Sequence, residues 1–149
     1  MKLPLLWLKD YVAVTNDTDS LAKIINDRIL EIESIHNPGK EIKNVIVAQI
    51  AEVGKHPQAD KLHLLKVNTG KELLQVVCGA SNVAVGKKIA FATSTAELPG
   101  GFKMKVAKIR GVESYGMCCS EKELGLAVES SGILILPDDA PLGANFVDY

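Results

Sequence analysis

The sequence has few of the residues that mark membrane proteins, disulfide-stapled domains or aromatic-rich binding sites. Aromatic residues make up 5% of the chain, with one tryptophan, three tyrosines and three phenylalanines. No apolar run approaches the roughly 18 residues that a membrane-spanning helix needs. The apolar stretch at the start is too short and too soon charged for a signal peptide. We therefore expect a cytoplasmic protein without a membrane partner.

The three cysteines do not form a disulfide framework or a metal site. Their number is odd, and Cys118 and Cys119 are adjacent, so a bridge between them would need a strained ring. No C-x-x-C or H-x-x-x-H pair lets one turn deliver two zinc ligands. His56 precedes Pro57 at a predicted turn, where we interpret it as a structural cap. These features predict reduced thiols, no metal and no catalytic residue.

A phosphate-binding loop is also missing. Gly86-Lys87-Lys88 differs from a P-loop because position 81 is a serine and no Ser or Thr follows the lysine. The sequence therefore predicts no ATP site and no cofactor in this chain.

Charge is segregated along the chain, although the formal net charge is only -1. Residues 55–110 hold ten cations and three anions, residues 1–54 hold six and eight, and residues 111–149 hold one and seven. Electrostatic attraction depends on the local patch that faces a ligand rather than on the total charge. The basic middle part is therefore compatible with a nucleic-acid partner.

The first 39 residues are predicted to form a small, incomplete α+β segment. Asp17 or Thr18 can cap a helix, and residues 30–35 alternate as a short strand. A dense apolar cluster around Trp7 precedes this helix. Two short helices and one strand cannot cover so much apolar surface. We therefore expect half of a split domain, separated from the rest by a turn signal at 37–39.

Residues 40–149 have an all-β pattern. Five candidate strands lie at 45–53, 62–68, 73–78, 88–93 and 103–110. Glycine and proline punctuate them, which predicts a mainly β fold built on a five-stranded OB-fold barrel. A single helical turn at 121–126 and one more strand at 132–137, packed outside the barrel, complete this prediction.

The fifth candidate strand is the most basic part of the chain. Four cations fall within its eight residues, with apolar residues between them as in a half-buried strand. These cations are Lys103, Lys105, Lys108 and Arg110. Such a strand places charge where a phosphate backbone could lie. The competing interpretation is a solvated edge strand whose lysines discourage pairing between molecules.

The motifs of this part resemble a known family. Residues 45–146 are similar to the tRNA-binding domain of several aminoacyl-tRNA synthetases and of free-standing tRNA-binding proteins. The matching motifs are His56-Pro-Gln-Ala-Asp-Lys-Leu62, Val77-Cys-Gly-Ala-Ser-Asn82, Lys103-x-Lys105 with Ile109-Arg-Gly111, and Ser114-x-Gly-Met-x-Cys-Ser120 with Glu123-Leu-Gly-Leu126. Together they cover about two-thirds of the chain, counted from the sequence.

The two ends are similar to the beta subunits of the bacterial phenylalanyl-tRNA synthetase family. The start is matched by Trp7-Leu-Lys-Asp-Tyr-Val12, Leu21-Ala22 and Leu30-Glu-Ile-Glu33. The tail Ser131-Gly-Ile-Leu-Ile-Leu-Pro-Asp-Asp-Ala-Pro-Leu-Gly143 is also similar to that subunit. Ile29 stands where that family usually has glycine, and Cys118 stands where an aliphatic residue is more usual. We expect the natural chain to continue past Tyr149.

This resemblance implies an N-terminal fragment of a ligase that joins phenylalanine to its tRNA with ATP and Mg²⁺. The fragment itself would be catalytically silent, with tRNA, the alpha subunit and the rest of the beta subunit as partners in a heterotetramer. Chain that follows the barrel would complete the first segment.

The resemblance also implies an RNA-contacting face. Its predicted residues are Lys61, Asn82, Lys103, Lys105, Lys108, Arg110, Ser114, Met117 and Ser120. Lys and Arg would meet phosphates, Ser and Asn would bond sugar or base edges, and Met117 would offer an apolar platform. The turn after the basic strand is predicted to display the two serines and this methionine.

Stacking aromatic residues are scarce in the predicted barrel, where only Phe91, Phe102 and Tyr115 occur. We therefore expect weak binding dominated by charge and shape, in an accessory role. Two alternatives stay open. One is an assembly module that docks on other synthetase domains without touching RNA, and the other is a free-standing tRNA-binding protein.

Overall fold

A computed structural model describes residues 2–149 and divides the chain into two units. The first unit ends at His36 and the second begins at Asn37, whereas the sequence places the division after residue 39. Strands account for most of the regular structure, so the mainly β prediction is confirmed. No helix within residues 2–149 is long and apolar enough to cross a membrane.

Two helices form the first unit. Helix α1 spans Leu5–Tyr11 and helix α2 spans Thr18–Arg28. Asp17 caps α2, because its carboxylate accepts hydrogen bonds from the Ser20 N–H at 2.9 Å and from the Ser20 hydroxyl at 2.7 Å. These bonds lower the pKa of Asp17. The predicted capped helix is therefore confirmed.

The strand predicted at 30–35 is wrong. This segment has no regular secondary structure, and its Ile32 N–H donates to the Asn26 side chain at 2.6 Å. Leu30 and Ile35 are exposed. Alternating polarity indicates a strand only where a neighbouring strand takes up the backbone hydrogen bonds, and this segment pairs with no strand within residues 2–149.

Four long antiparallel strands form the centre of the second unit. They are β1 (Lys43–His56), β2 (Ala59–Asn68), β3 (Leu73–Cys78) and β4 (Lys88–Leu98), in the order β3-β2-β1-β4. A short 3₁₀ helix at Pro38–Glu41 precedes them. The first four predicted strands are thus confirmed, and all except β3 extend beyond the predicted bounds.

The fifth predicted strand is wrong as a single element. Its residues divide between β5 (Phe102–Lys103), which pairs with β4, and β6 (Ala107–Ile109), which forms a hairpin with β7 (Val112–Ser114). Both residues of the hairpin turn have positive φ, 49° at Arg110 and 85° at Gly111. Val106 and Ala107 are exposed rather than half-buried. β5 forms two residue pairs with β4. The chain then leaves this sheet and enters the separate hairpin of β6 and β7.

Two further short strands pair with β4. They are β8 (Gly116–Cys118) and β9 (Ile135–Leu136), and β9 lies inside the strand predicted at 132–137. The Tyr115 N–H donates to the Gln75 carbonyl of β3 at 2.9 Å. This bond links the residue before β8 to β3. The first and last strands of the order β3-β2-β1-β4-β8 therefore approach each other.

The buried interior lies in the second unit. Ile50, Leu65 and Phe91 are fully buried in one cluster, while Leu124 and Cys119 are fully buried in a second cluster. Gly116 must remain a glycine here. A Cβ atom at this position would lie 2.2 Å from the Phe91 ring and 2.6 Å from the Ala92 carbonyl oxygen.

A candidate nucleic-acid interface

A groove of about 680 Å³ opens on the second unit. Residues from β3, β8, the segment 102–109 and the loop 130–133 line it, and the lining mixes cations, apolar side chains and small polar groups. This composition suits a ligand with both phosphates and flat apolar surfaces. We call this feature the groove throughout.

The groove brings together five of the nine predicted contact residues. These are Lys103, Lys105, Ser114, Met117 and Ser120. The other four, Lys61, Asn82, Lys108 and Arg110, do not belong to its lining. The predicted residues therefore do not form one continuous surface around this groove.

The two groove lysines differ in their ionic surroundings. The Lys103 ammonium lies 3.4 Å from the Glu97 carboxylate, which is also 2.7 Å from the Lys43 ammonium. Hydrogen bonds from Lys43 and then Lys103 lower the pKa of Glu97. Lys105 forms no ion pair with any residue between 2 and 149. Its charge is therefore the more available for a phosphate.

Ser114 is buried, so the prediction that the turn displays it is wrong. Its hydroxyl oxygen accepts a hydrogen bond from the Val77 N–H at 3.1 Å and donates to the Gly116 carbonyl at 2.9 Å. Both roles of the hydroxyl are thus used inside the protein. Ser114 joins β3 to the segment between β7 and β8 and so supports the groove wall.

Ser120 and Glu123 form a reciprocal pair in the turn after β8. The Glu123 carboxylate accepts from the Ser120 N–H and hydroxyl at 2.7 Å each, and the Ser120 oxygen accepts from the Glu123 N–H at 3.3 Å. The Leu124 N–H donates to the Ser120 carbonyl at 3.1 Å, in keeping with the helical turn predicted here. The pair also places one negative charge in the groove lining.

Asn82 supports the groove from outside its lining. Its side-chain amide donates to the Ile133 carbonyl at 2.8 Å, and its carbonyl oxygen accepts from the Ile133 N–H at 3.0 Å. A Cβ atom at Gly132 would lie 2.3 Å from that oxygen, so a side chain at this position would displace the Asn82 amide. The amide therefore holds the loop 130–133 in place.

His56 anchors the hairpin that carries Lys108 and Arg110. It is buried, its Nδ1 accepts from the Gln58 N–H at 3.1 Å, and its Nε2 lies 3.2 Å from the Ile109 carbonyl oxygen. This network assigns the proton to Nε2, which then donates to Ile109. The contacts match the structural role that the sequence predicts for this histidine.

Sequence reasoning gave no role in the site to Phe102 or to two cysteines. Phe102 is 55% exposed and lies in the groove lining next to Lys103. The sequence signal that could have identified Phe102 is the Pro99-Gly100-Gly101 turn. This turn returns the chain along β4 and leaves the Phe102 ring in solvent. Cys78 and Cys118 also line the groove. Among residues 2–149, no three His, Cys, Asp or Glu side chains cluster as a metal site.

The chain matches a described protein family over most of the second unit. Residues 45–145 match the family described as "Putative tRNA binding domain". These residues include the whole groove lining and the hairpin β6–β7.

Two curated relatives match nearly all of this chain but are much longer proteins. The phenylalanine-tRNA ligase beta subunit of Fusobacterium nucleatum is 49% identical over all of this chain, which spans 19% of that protein. The phenylalanine-tRNA ligase beta subunit of Geobacter sulfurreducens is 50% identical over 95% of this chain and 18% of that protein. The chain thus spans about a fifth of these relatives.

The fold also has a counterpart among solved structures. The crystal structure of a MetRS-related protein from Pyrococcus horikoshii superposes with a TM-score of 0.51 over 74% of this chain and 96% of that chain. At 22% identity, this likeness concerns the fold alone.

Proposed function

Since the chain belongs to the tRNA-binding domain family, we propose that it binds tRNA through the groove, as an accessory, non-catalytic part of a phenylalanine-tRNA ligase beta subunit. The observation that carries this proposal is the groove lining, where Lys105 and Lys103 stand beside the exposed ring of Phe102.

The electrostatic part of the binding comes from the lysines. Phosphate contacts supply most of the affinity of non-specific nucleic-acid binding and make it dependent on salt. Lys105 is free of ion pairs within residues 2–149, while Lys103 shares Glu97 with Lys43. Lys105 therefore contributes more than Lys103, and Glu123 limits how strongly the groove attracts RNA.

The apolar part of the binding comes from Phe102 and Met117. Aromatic side chains stack on unpaired bases without strong sequence preference, and a thioether is a soft contact surface. Phe102 is open to solvent, whereas Met117 is half-buried against the second cluster. Single-stranded or looped parts of a tRNA are the parts whose bases can reach such a ring.

The parent enzyme is proposed from the relatives. As a phenylalanine-tRNA ligase, it joins phenylalanine to tRNA with ATP and Mg²⁺ in the cytoplasm, and this chain contacts the alpha subunit and the rest of the beta subunit in a heterotetramer. Two relatives of that name, each matched over at least 95% of this chain, support the proposal. The reaction takes place in other parts of the enzyme.

The first segment, residues 1–39, has a docking role in this proposal. Leu6, Trp7 and Tyr11 of α1 are 76%, 67% and 87% exposed. Apolar groups so close together favour contact with further protein. The segment docks on chain that follows residue 149 in the longer relatives, which completes a split domain. Extending the protein by that chain should shift the Trp7 fluorescence to shorter wavelength, and a W7F variant identifies the signal.

A salt-dependent titration tests the RNA proposal. Fluorescence anisotropy with labelled tRNA should give a dissociation constant of roughly 10⁻⁴ to 10⁻⁶ M at physiological salt. The double variant K103Q/K105Q should bind more weakly and reduce the salt slope by about 1 to 2. The control K87Q/K122Q removes the same charge from exposed lysines outside the groove lining.

Two results would contradict the proposal. If the control variant loses as much affinity as K103Q/K105Q, the attraction is general and the groove is not the site. If the wild-type protein fails to bind tRNA even at low salt, the chain is an assembly module, and RNA recognition lies elsewhere in the enzyme.

A further inference from the structure

Two thiols lie together in the floor of the groove. Cys78 ends β3 and Cys118 ends β8, and they are 8% and 5% exposed. Both line the groove, and both belong to the same buried cluster. A small solute in the groove can therefore reach a pair of sulfur atoms rather than a single one.

The strand order explains why the two cysteines are neighbours. Four successive antiparallel pairings connect β3 to β2, β1, β4 and β8, so β3 and β8 run in the same direction. The Tyr115 N–H bonds to the Gln75 carbonyl where the two strands approach each other. Three residues further along each segment are Cys78 and Cys118. The two side chains also belong to the same buried cluster, which agrees with this placement.

The environment makes the two thiols chemically different. The hydrogen bond from Cys118 lowers the pKa of Cys78 to about 7, helped by the Ala80 N–H and opposed by burial and by Glu123. The same contact and burial raise the pKa of Cys118 well above its ordinary value. Cys78 is therefore the thiol that ionises first, while Cys118 keeps its proton. A thiolate beside a thiol is the arrangement of a reactive cysteine with a resolving partner.

Cys119 provides an internal reference. It is fully buried in the second cluster, and its sulfur lies 3.8 Å from the Met117 carbonyl oxygen. Burial raises the pKa of Cys119 to about 12. It does not line the groove. Among the three thiols it should be the least reactive.

We propose that Cys78 and Cys118 form a peroxide-sensitive dithiol that closes to a disulfide across β3 and β8. In the first step, the Cys78 thiolate attacks one oxygen of hydrogen peroxide, the O–O bond breaks, and Cys78 becomes a sulfenic acid as the other oxygen leaves as hydroxide, which takes up a proton to form water. In the second step, the Cys118 sulfur attacks the Cys78 sulfur. Its proton and the sulfenic hydroxyl leave as a second water.

The proposal is independent of RNA binding, because it needs only the two thiols and an oxidant. A disulfide requires its Cα atoms to lie within about 7 Å, and the bond from the Tyr115 N–H to the Gln75 carbonyl brings the two segments together three residues before each cysteine. A dithiol returns both cysteines to thiols by thiol–disulfide exchange and is itself oxidised to a disulfide. The oxidised form would carry a covalent link between two strands that otherwise meet through few hydrogen bonds.

Thiol counting on the full chain tests the proposal. The reduced protein, treated at neutral pH with a slight excess of hydrogen peroxide, should fall from three titratable thiols to one under denaturing assay, with monomeric mass. Peptide mapping should find Cys78 linked to Cys118 and Cys119 free, and dithiothreitol should restore all three thiols. The oxidation rate should increase as the pH rises through about 7, where Cys78 loses its proton.

Three variants separate this pair from general oxidation. C119A should still lose two thiols, whereas C78S should lose its sensitivity to peroxide at this dose. C118S should stop at a sulfenic acid on Cys78, which dimedone traps. Circular dichroism of each variant confirms that it is folded. A linkage that includes Cys119, a purely intermolecular linkage, or three surviving thiols in the folded wild-type protein would overturn the proposal.

Discussion

The two halves of the basic segment 102–110 have different surroundings, although they read as one strand in the sequence. The first half, β5 and Lys105, follows β4 and enters the groove lining. The second half carries Lys108 and Arg110 on a separate hairpin whose Ile109 carbonyl is held by His56. Cations that are neighbours in sequence thus belong to two surfaces. Charge density along a chain therefore does not by itself define a binding site.

The proposed function depends on the groove half. The groove half combines a ring, a concave surface and a lysine that has no ion pair among residues 2–149, and these features together suit RNA. The hairpin half lines the groove through Ala107 and Ile109, but its cations Lys108 and Arg110 lie outside the lining. These two cations fit a steering role or a solvated edge. Ser114 supports both halves, because it is the last residue of the hairpin and its hydroxyl also bonds to Val77 of β3.

Removing the Ser114 hydroxyl should have the largest effect and should damage both halves together. In Ser114→Ala, the buried Val77 N–H and the Gly116 carbonyl each lose a partner, which costs about 1–3 kcal/mol of unfolding free energy. Urea unfolding measures this change. Ser130→Ala, at an exposed serine of the groove lining, is the control. Equal stability of the two variants would contradict the structural role of Ser114.

Removing the Phe102 ring should weaken the groove half alone. If a base stacks on it, Phe102→Ala should cost about 1–3 kcal/mol of tRNA binding, whereas Phe102→Tyr should retain most of the affinity. Val106→Ala is the matched control, since Val106 is 49% exposed but does not line the groove. Anisotropy titration gives the three affinities. Equal losses for Phe102→Ala and Val106→Ala would exclude stacking at this ring.

Neutralising the cations of the groove half and of the hairpin half in separate variants should show how much each half contributes to the electrostatic attraction of tRNA. K105Q should reduce the salt slope of tRNA binding by about 1, as expected for one lost phosphate contact. K108Q/R110Q removes more charge but should change the slope less, because neither residue lines the groove. The measurement is affinity across a salt series. A steeper loss in K108Q/R110Q would move the RNA site to the hairpin.

Detaching the hairpin should have the smallest effect on binding. In His56→Ala, the bonds to Gln58 and Ile109 are lost, which costs about 0.5–1.5 kcal/mol each. Hydrogen exchange should become faster in β6 and β7, while tRNA affinity should change little. His63→Ala, at a half-buried histidine of β2, serves as the comparison. A large loss of affinity in His56→Ala would show that the hairpin takes part in binding.

Much of the second unit could be predicted because its signals are local. The strands β1 to β4 alternate or run apolar between glycine-rich turns, and such patterns specify a strand with little help from the rest of the chain. In the first unit, helix α2 begins at Thr18 after its N-cap Asp17, whose capping bond involves a residue three positions away. The existence of these elements was predicted, and the bounds of β3 coincide with the prediction, while β1, β2 and β4 are longer than predicted.

The two wrong strand predictions have the same physical cause. The local sequence does not show which other segment a strand would pair with. The strand predicted at 30–35 has no neighbour to pair with. The strand predicted at 103–110 breaks because its second half pairs with β7 and not with β4. Alternation records which residues tolerate a pleated backbone, but pairing decides whether a strand forms.

By itself, the sequence determined the family, the mainly β class and the basic character of the segment 102–110, because each depends on residue types at short spacing. Only the tertiary structure decided that Ser114 is buried, that Phe102 faces the groove and that Cys78 meets Cys118. The last contact joins residues forty positions apart in sequence. It exists because four antiparallel pairings bring the ends of the sheet together, and no local pattern encodes such a long-range contact.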